Sequence, residues 1–84
     1  MSQDDSESRR RVYSRIAPLI LAYRDAHAGQ AFHAEDLRQF VLTREPTIAP
    51  DSPGRILREL RLQQKLDYEV INRRQSLYQF RRVS

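Results

Sequence analysis

The sequence predicts a mainly α fold closed by a small antiparallel β-hairpin. Three observations carry this. Apolar residues recur three and four apart in three separate segments before residue 66. From Leu66 the apolar period changes to two. Between these regimes stands Ser52-Pro53, a serine suited to cap a helix followed by a proline suited to its first turn. The chain has 84 residues, enough for one small domain.

Residues 1–8, MSQDDSES, are polar and acidic with no apolar period, and are expected to form a disordered tail. Residues 9–84 are expected to form the single domain. Arg9, Arg10 and Arg11 open it as a short basic run, with two readings: a solvated helix start or a contact to phosphate. The first helix is predicted over about 11–28, with Val12, Ile16, Leu19, Ile20 and Tyr23 as its stripe and Gly29 as its stop. Pro18 removes a backbone donor and crowds the Ser14 carbonyl, which predicts a kink or a true start near Arg15. Leu21 lies opposite the stripe.

Phe32 anchors a short extended segment. The second helix is predicted over about 34–44. Leu37, Phe40 and Val41 form its apolar stripe, with Glu35 and Asp36 at the positive end of the helix dipole. Residues 45–51 form a loop with two prolines, and Ile48 is expected to plug into the core. The third helix is predicted over about 52–65, with Ser52 as N-cap. Ile56, Leu57, Leu60 and Gln64 share one face. Arg55, Arg58, Glu59 and Leu62 share the opposite face, flanked by Arg61 and Lys65. The hairpin is predicted over about 66–81. Parity pairs Tyr68 with Phe80 and Val70 with Tyr78, leaving a bulged three-residue turn near Arg73–Gln75. Tyr68, Val70, Tyr78 and Phe80 are assigned to packing.

The formal charge of +4 is unevenly placed. Residues 1–53 hold seven Lys/Arg against eight Asp/Glu, whereas residues 54–84 hold eight against three. The second segment therefore carries +5, the footprint expected of a polyanion-binding face. Fourteen of the fifteen basic residues are arginine, the side chain suited to bidentate contact with phosphate or guanine. A GC-rich genome explains that ratio equally well, but not the clustering.

Three helices, a short extended segment after the first, and a terminal hairpin give the element order of a winged helix-turn-helix. The residues Asp51 to Phe80, DSPGRILRELR…LDYEVINRRQSLYQF, carry a Ser-Pro helix start, an R-x-L-R-x-L-R body, a D-Y-x-x-x-N-R hairpin and an S-x-Y return strand. This stretch resembles the C-terminal winged-helix module of DpnI-type and Dam-replacing restriction endonucleases. The resemblance covers about 30 residues closely, and it implies a winged-helix fold. Their nuclease domain is not part of it, so no enzymatic activity carries over. Nor does methyl-base recognition, since the chain has no tryptophan.

A helix in the major groove reads bases with side chains three and four apart. Arg55, Arg58 and Leu62 fit that spacing, with Arg61 and Lys65 placed for flanking phosphates. Ser52 and Gly54 sit where helix N–H groups can hold a phosphate. For Gly54, simple tolerance of glycine in a first turn is the alternative. Arg73, Arg74 and Gln75 occupy the hairpin tip, suited to the backbone or the minor groove. Glu59 either pairs with Arg55 or Lys65 or accepts from a cytosine amino group. Leu62 either touches a thymine methyl or anchors an acidic protein.

No catalytic constellation is expected. His27 and His33 stand apart with no cysteine in the chain, so no metal site is expected, and no glycine-rich phosphate loop exists. Asp51, Ser52 and His33 are the residue types of a triad, but nothing in the sequence brings them together. No cofactor is expected. The longest apolar run, Ala17 to Tyr23, contains a proline and is far too short for a membrane span. The expected protein is a cytoplasmic, non-enzymatic binder of double-stranded DNA, a transcriptional regulator or mobile-element accessory factor. A homodimer through Leu21, Leu42 and Leu62 is a further expectation. The alternative is a winged-helix interaction module for an acidic protein.

Overall fold

A computed structural model describes the backbone of residues 2–82 and the side chains of residues 10–82. Helix α1 spans Ser2–Ala26, β1 Ala31–His33, α2 Ala34–Arg44, α3 Ser52–Leu62, β2 Asp67–Asn72 and β3 Leu77–Arg81. The architecture is therefore three helices with a small antiparallel sheet. The sheet has three strands in the order β1-β3-β2, not the two of the expected hairpin alone. The short segment around Phe32 supplies the third strand, with Phe32 opposite Tyr78.

Helix α1 starts well before residue 11, so the stretch expected to be a disordered tail has helical backbone from Ser2. No glycine or proline interrupts residues 2–17, so nothing in that stretch breaks the hydrogen-bond ladder. Pro18 lies inside the helix and does not end it. The predicted stripe is borne out: Ile16, Ile20 and Tyr23 are buried, with Val12 and Leu19 packed at the margin. Leu21, expected to face outward, is half-buried against the core. Helix α1 packs on both α2 and α3, so its buried face is wider than one stripe.

Leu37 and Val41 of α2 join the core, and Ile48 plugs in from the loop as expected. Helix α3 contributes Ile56, Leu57 and Leu60, and the sheet contributes Phe32, Tyr68 and Phe80. Phe32 and Phe80 stack at 4.3 Å between ring centroids, and Tyr23 meets both edge-on. Burial of the Tyr23 hydroxyl, with a smaller push from Asp36, raises its pKa above the ordinary tyrosine value.

Two ends of α3 differ from expectation. Its N-cap is Asp51, because the Asp51 carbonyl already accepts from the Arg55 N–H at 3.2 Å. Ser52 is thereby the first helical residue, with Pro53 beside it, and Asp51 makes no side-chain capping bond. At the other end, the helix stops at Leu62 rather than Lys65. Gln64 has φ 61°, the left-handed conformation. The Lys65 N–H then reaches back to the Leu60 carbonyl and the Gln64 N–H to the Arg61 carbonyl, both at 3.0 Å. This is a Schellman closure with glutamine where glycine is usual. Gln64 therefore lies exposed past the helix end, off the face it was expected to share with Ile56, Leu57 and Leu60.

The predicted hairpin register, Tyr68 with Phe80 and Val70 with Tyr78, is observed. The turn is longer than expected. It covers four residues, Arg73–Ser76, and a register shift between Val70 and Asn72 places the bulge in β2. The bulge absorbs the parity that a three-residue turn was expected to absorb. Val70, assigned to packing, is 41% exposed, and Ile71 is 44% exposed.

Candidate nucleic-acid interface

The exposed face of α3 carries Arg55, Arg58 and Leu62 in succession along one side, as their spacing requires. Leu62 is 83% exposed, the most exposed of the large apolar side chains described. Beside this face stands the Arg73–Ser76 turn. The Ala34 N–H donates to the Ser76 carbonyl at 2.9 Å, which fixes the turn to the first residue of α2. A helix start leaves its first N–H groups without intrahelical partners, so both sides gain from this bond. His33 Nδ1 accepts the next donor, the Glu35 N–H, at 3.1 Å. Within the turn, the Asn72 side chain accepts from the Gln75 N–H at 3.1 Å.

A cleft of about 350 Å³ links these parts, lined by Arg58 and Gly54 of α3, His33, Glu35 and Arg38 around the start of α2, and Ser76 of the turn. Arg38 was not singled out from sequence. Its guanidinium is held by Glu35 at 2.6 Å. The hydrogen bond from Arg38, with help from Gln39, holds the Glu35 carboxyl below the ordinary glutamate pKa. The Glu35-x-x-Arg38 spacing signals that pair, but not that the start of α2 borders α3 and the turn.

Ion pairing sorts the arginines. Arg15, Arg24, Arg38, Arg61 and Arg81 each lie within 4.0 Å of a carboxylate. Among the described residues, Arg55, Arg58, Arg73 and Arg74 have no such partner, and neither do Arg10, Arg11, Arg44 and Arg82 elsewhere on the chain. Arg55 has only a long contact, 3.5 Å, to the Ser52 hydroxyl. Glu59, expected to pair with Arg55 or Lys65, pairs with neither within 4.0 Å.

The remaining expected site residues fare differently. Ser52 is 2% exposed, so its hydroxyl is buried beneath Arg55 and presents nothing outward. Gly54 is half-buried, and a methyl group built there would meet Arg58 Nη1 at 3.7 Å, ordinary contact. No close approach demands glycine at that position. Arg61 is tied to the hairpin, with Nε 3.2 Å from Asp67 and its guanidinium 4.6 Å above the Tyr68 ring. Lys65 lies past the left-handed Gln64 and donates to the Tyr13 hydroxyl of α1 at 3.3 Å. It does not join the α3 face. Gln75 is exposed in the turn with Arg73 and Arg74.

Both histidines are engaged locally: His27 stacks on Tyr23 at 4.0 Å, and His33 caps α2. Among the described residues, no group of three or more metal-ligating side chains converges. No described helix is long and apolar enough to cross a membrane. Comparison of the chain with family models, with curated proteins and with solved structures gave no match.

Proposed function

We propose that this chain is a winged helix-turn-helix protein that binds double-stranded DNA, acting as a transcriptional regulator or mobile-element accessory factor without enzymatic activity. In this reading α3 enters the major groove and the β2–β3 hairpin is the wing. One observation carries it: Arg55, Arg58, Arg73 and Arg74 lie on α3 and the adjoining turn with no carboxylate partner among the described residues. Arginines left unpaired on a surface are available to phosphates and to guanine edges. Arg55 and Arg58 are the base-reading candidates, because three-residue spacing on a helix matches the groove. Arg73 and Arg74 are the backbone or minor-groove candidates.

Fluorescence anisotropy on duplexes across a salt series tests the proposal. Arg58→Ala is expected to weaken binding to a selected site by about 1–3 kcal/mol and to relax its sequence preference. Arg73→Ala is expected to weaken all duplexes alike and to lower the salt slope by about 0.9. Absence of binding even at low salt would end the DNA reading.

The exposure of Leu62 favours a second reading, an interaction module in which the leucine anchors an acidic protein and the surrounding arginines meet its carboxylates. Under that reading Leu62→Glu breaks a stoichiometric complex, and no duplex binds.

A further inference from the structure

Helix α3 stands as a ridge with clefts on both flanks. At about 3.6 residues per turn, Leu62 falls between Arg55 and Arg58 around the helix, so the two arginines lean to opposite sides. Arg58 lines the cleft beside the Arg73–Ser76 turn. Arg55 lines two clefts on the other flank, where α3 meets α1. The larger, about 610 Å³, separates Arg10 and Tyr13 of α1 from Glu59 and Gln63 of α3. The smaller, about 390 Å³, lies between Arg11 and Arg15 of α1 and the loop that leads into α3. Arg10 and Arg11 belong to the basic run that precedes the apolar stripe of α1, and both are exposed.

Four arginines thus line this flank, Arg10, Arg11, Arg15 and Arg55, against one carboxylate, Glu59. Arg15 is held by Glu45 at 3.6 Å. Arg10, Arg11 and Arg55 have no carboxylate partner among the described residues, and Glu59 lies within 4.0 Å of none of them. The flank therefore stays positive with Glu59 and Glu45 counted. A helix about 10–12 Å across in a major groove about 12 Å wide lies between two phosphate strands, and its flanks face them. On the turn flank the unpaired cations are Arg73 and Arg74; on the α1 flank they are Arg10 and Arg11.

We propose, resting on the DNA-binding reading of the α3 face, that Arg10 and Arg11 of α1 hold the phosphate strand on the far side of α3 from the turn. The duplex is then gripped from both flanks, with α3 between the two strands. Anisotropy of the full chain on a selected duplex across a salt series tests this. Arg10→Ala combined with Arg11→Ala is expected to lower the salt slope by about 0.9 per arginine and to weaken all duplexes alike, by about tenfold or more near 0.1 M salt. Arg10→Lys combined with Arg11→Lys keeps the charge and is expected to keep the slope. It also preserves the test if the alanine variant does not fold in circular dichroism melts. Arg82→Ala removes a cation that lines neither cleft and is expected to leave the slope unchanged. Methylphosphonates placed one at a time along both strands locate the contacts. Positions that weaken wild type but not the Arg10–Arg11 alanine variant are expected on one strand, and those that spare Arg73→Ala on the other.

Duplex binding with a slope unchanged in the Arg10–Arg11 alanine variant overturns this proposal and leaves the α3 reading standing. An equal loss in Arg82→Ala also overturns it, because the effect would then be one of net charge. Coupling of Arg10, Arg11 and Arg73 to phosphates of the same strand overturns the two-flank grip. Absence of duplex binding by the wild-type chain overturns both readings.

Discussion

Replacing Gln64 with glycine is expected to stabilise the protein. Gln64 sits at φ 61° in the turn that ends α3, and its side chain is exposed. A non-glycine residue held left-handed costs about 1–2 kcal/mol. Glycine removes that cost but enlarges the unfolded ensemble, which returns about 0.4–1 kcal/mol. The Lys65–Leu60 and Gln64–Arg61 backbone bonds are independent of the side chain and survive the change. The balance is a gain of about 0.5–1 kcal/mol, and at about 4–8 °C per kcal/mol for a domain of this size the melting temperature rises by about 2–8 °C. Thermal denaturation by circular dichroism measures it, and urea titration should move the midpoint with the slope unchanged. Gln63→Gly is the control: that residue has φ −82° and no strain to relieve, and its side chain accepts from the Tyr13 hydroxyl, so it should destabilise. A fall in stability for Gln64→Gly would refute the assignment of strain to this position.

Three further outcomes are expected. Gly54→Ala should raise stability by about 0.5–1 kcal/mol, as the helix favours alanine and the added methyl finds room against Arg58; lost duplex affinity in this variant would return a role in phosphate contact to Gly54. Leu62→Glu should reduce duplex affinity by about tenfold or more, since a carboxylate among unpaired arginines repels phosphate and captures the cations that would bind it; unchanged affinity measured by anisotropy would assign the leucine to a protein-docking face. The Glu35 carboxyl has its folded pKa depressed by Arg38. Its stabilising share is therefore present above the unfolded glutamate pKa and lost as pH falls through the lower folded value. Glu35→Gln should flatten that part of the acid limb in pH-dependent melts, and an unchanged acid limb would show that the pair does not contribute.

The sequence made some of this visible because side-chain pattern alone decides it. The hairpin register followed from period two, since a one-residue slip would have turned Tyr68 and Phe80 outward. The burial of Ile56, Leu57 and Leu60 followed from period 3.6. Ser52 was misread because a cap is decided by which carbonyl first accepts, and the Asp51 carbonyl does so one residue earlier. Lys65 was misplaced because glutamine gives no signal for a left-handed turn, so the helix appeared to run on. Pro18 suggested a kink or a start near Arg15, and the helix instead starts at Ser2 and runs through the proline. Tertiary packing of α1 on two other helices outweighs one lost backbone bond. Of the site, the arginines were legible as types and spacings. Which of them carry a carboxylate partner depended on contacts such as Arg61 with Asp67, across the end of α3.

The bond from the Ala34 amide to the Ser76 carbonyl makes one backbone hydrogen a reporter for the arginine turn. That amide is shielded from exchange only while the turn rests on α2. Its exchange rate thus measures how often the turn lifts away, with every arginine intact. A turn that is already seated before a ligand arrives has little freedom left to lose, so contacts made by Arg73 and Arg74 need not first order the loop that carries them.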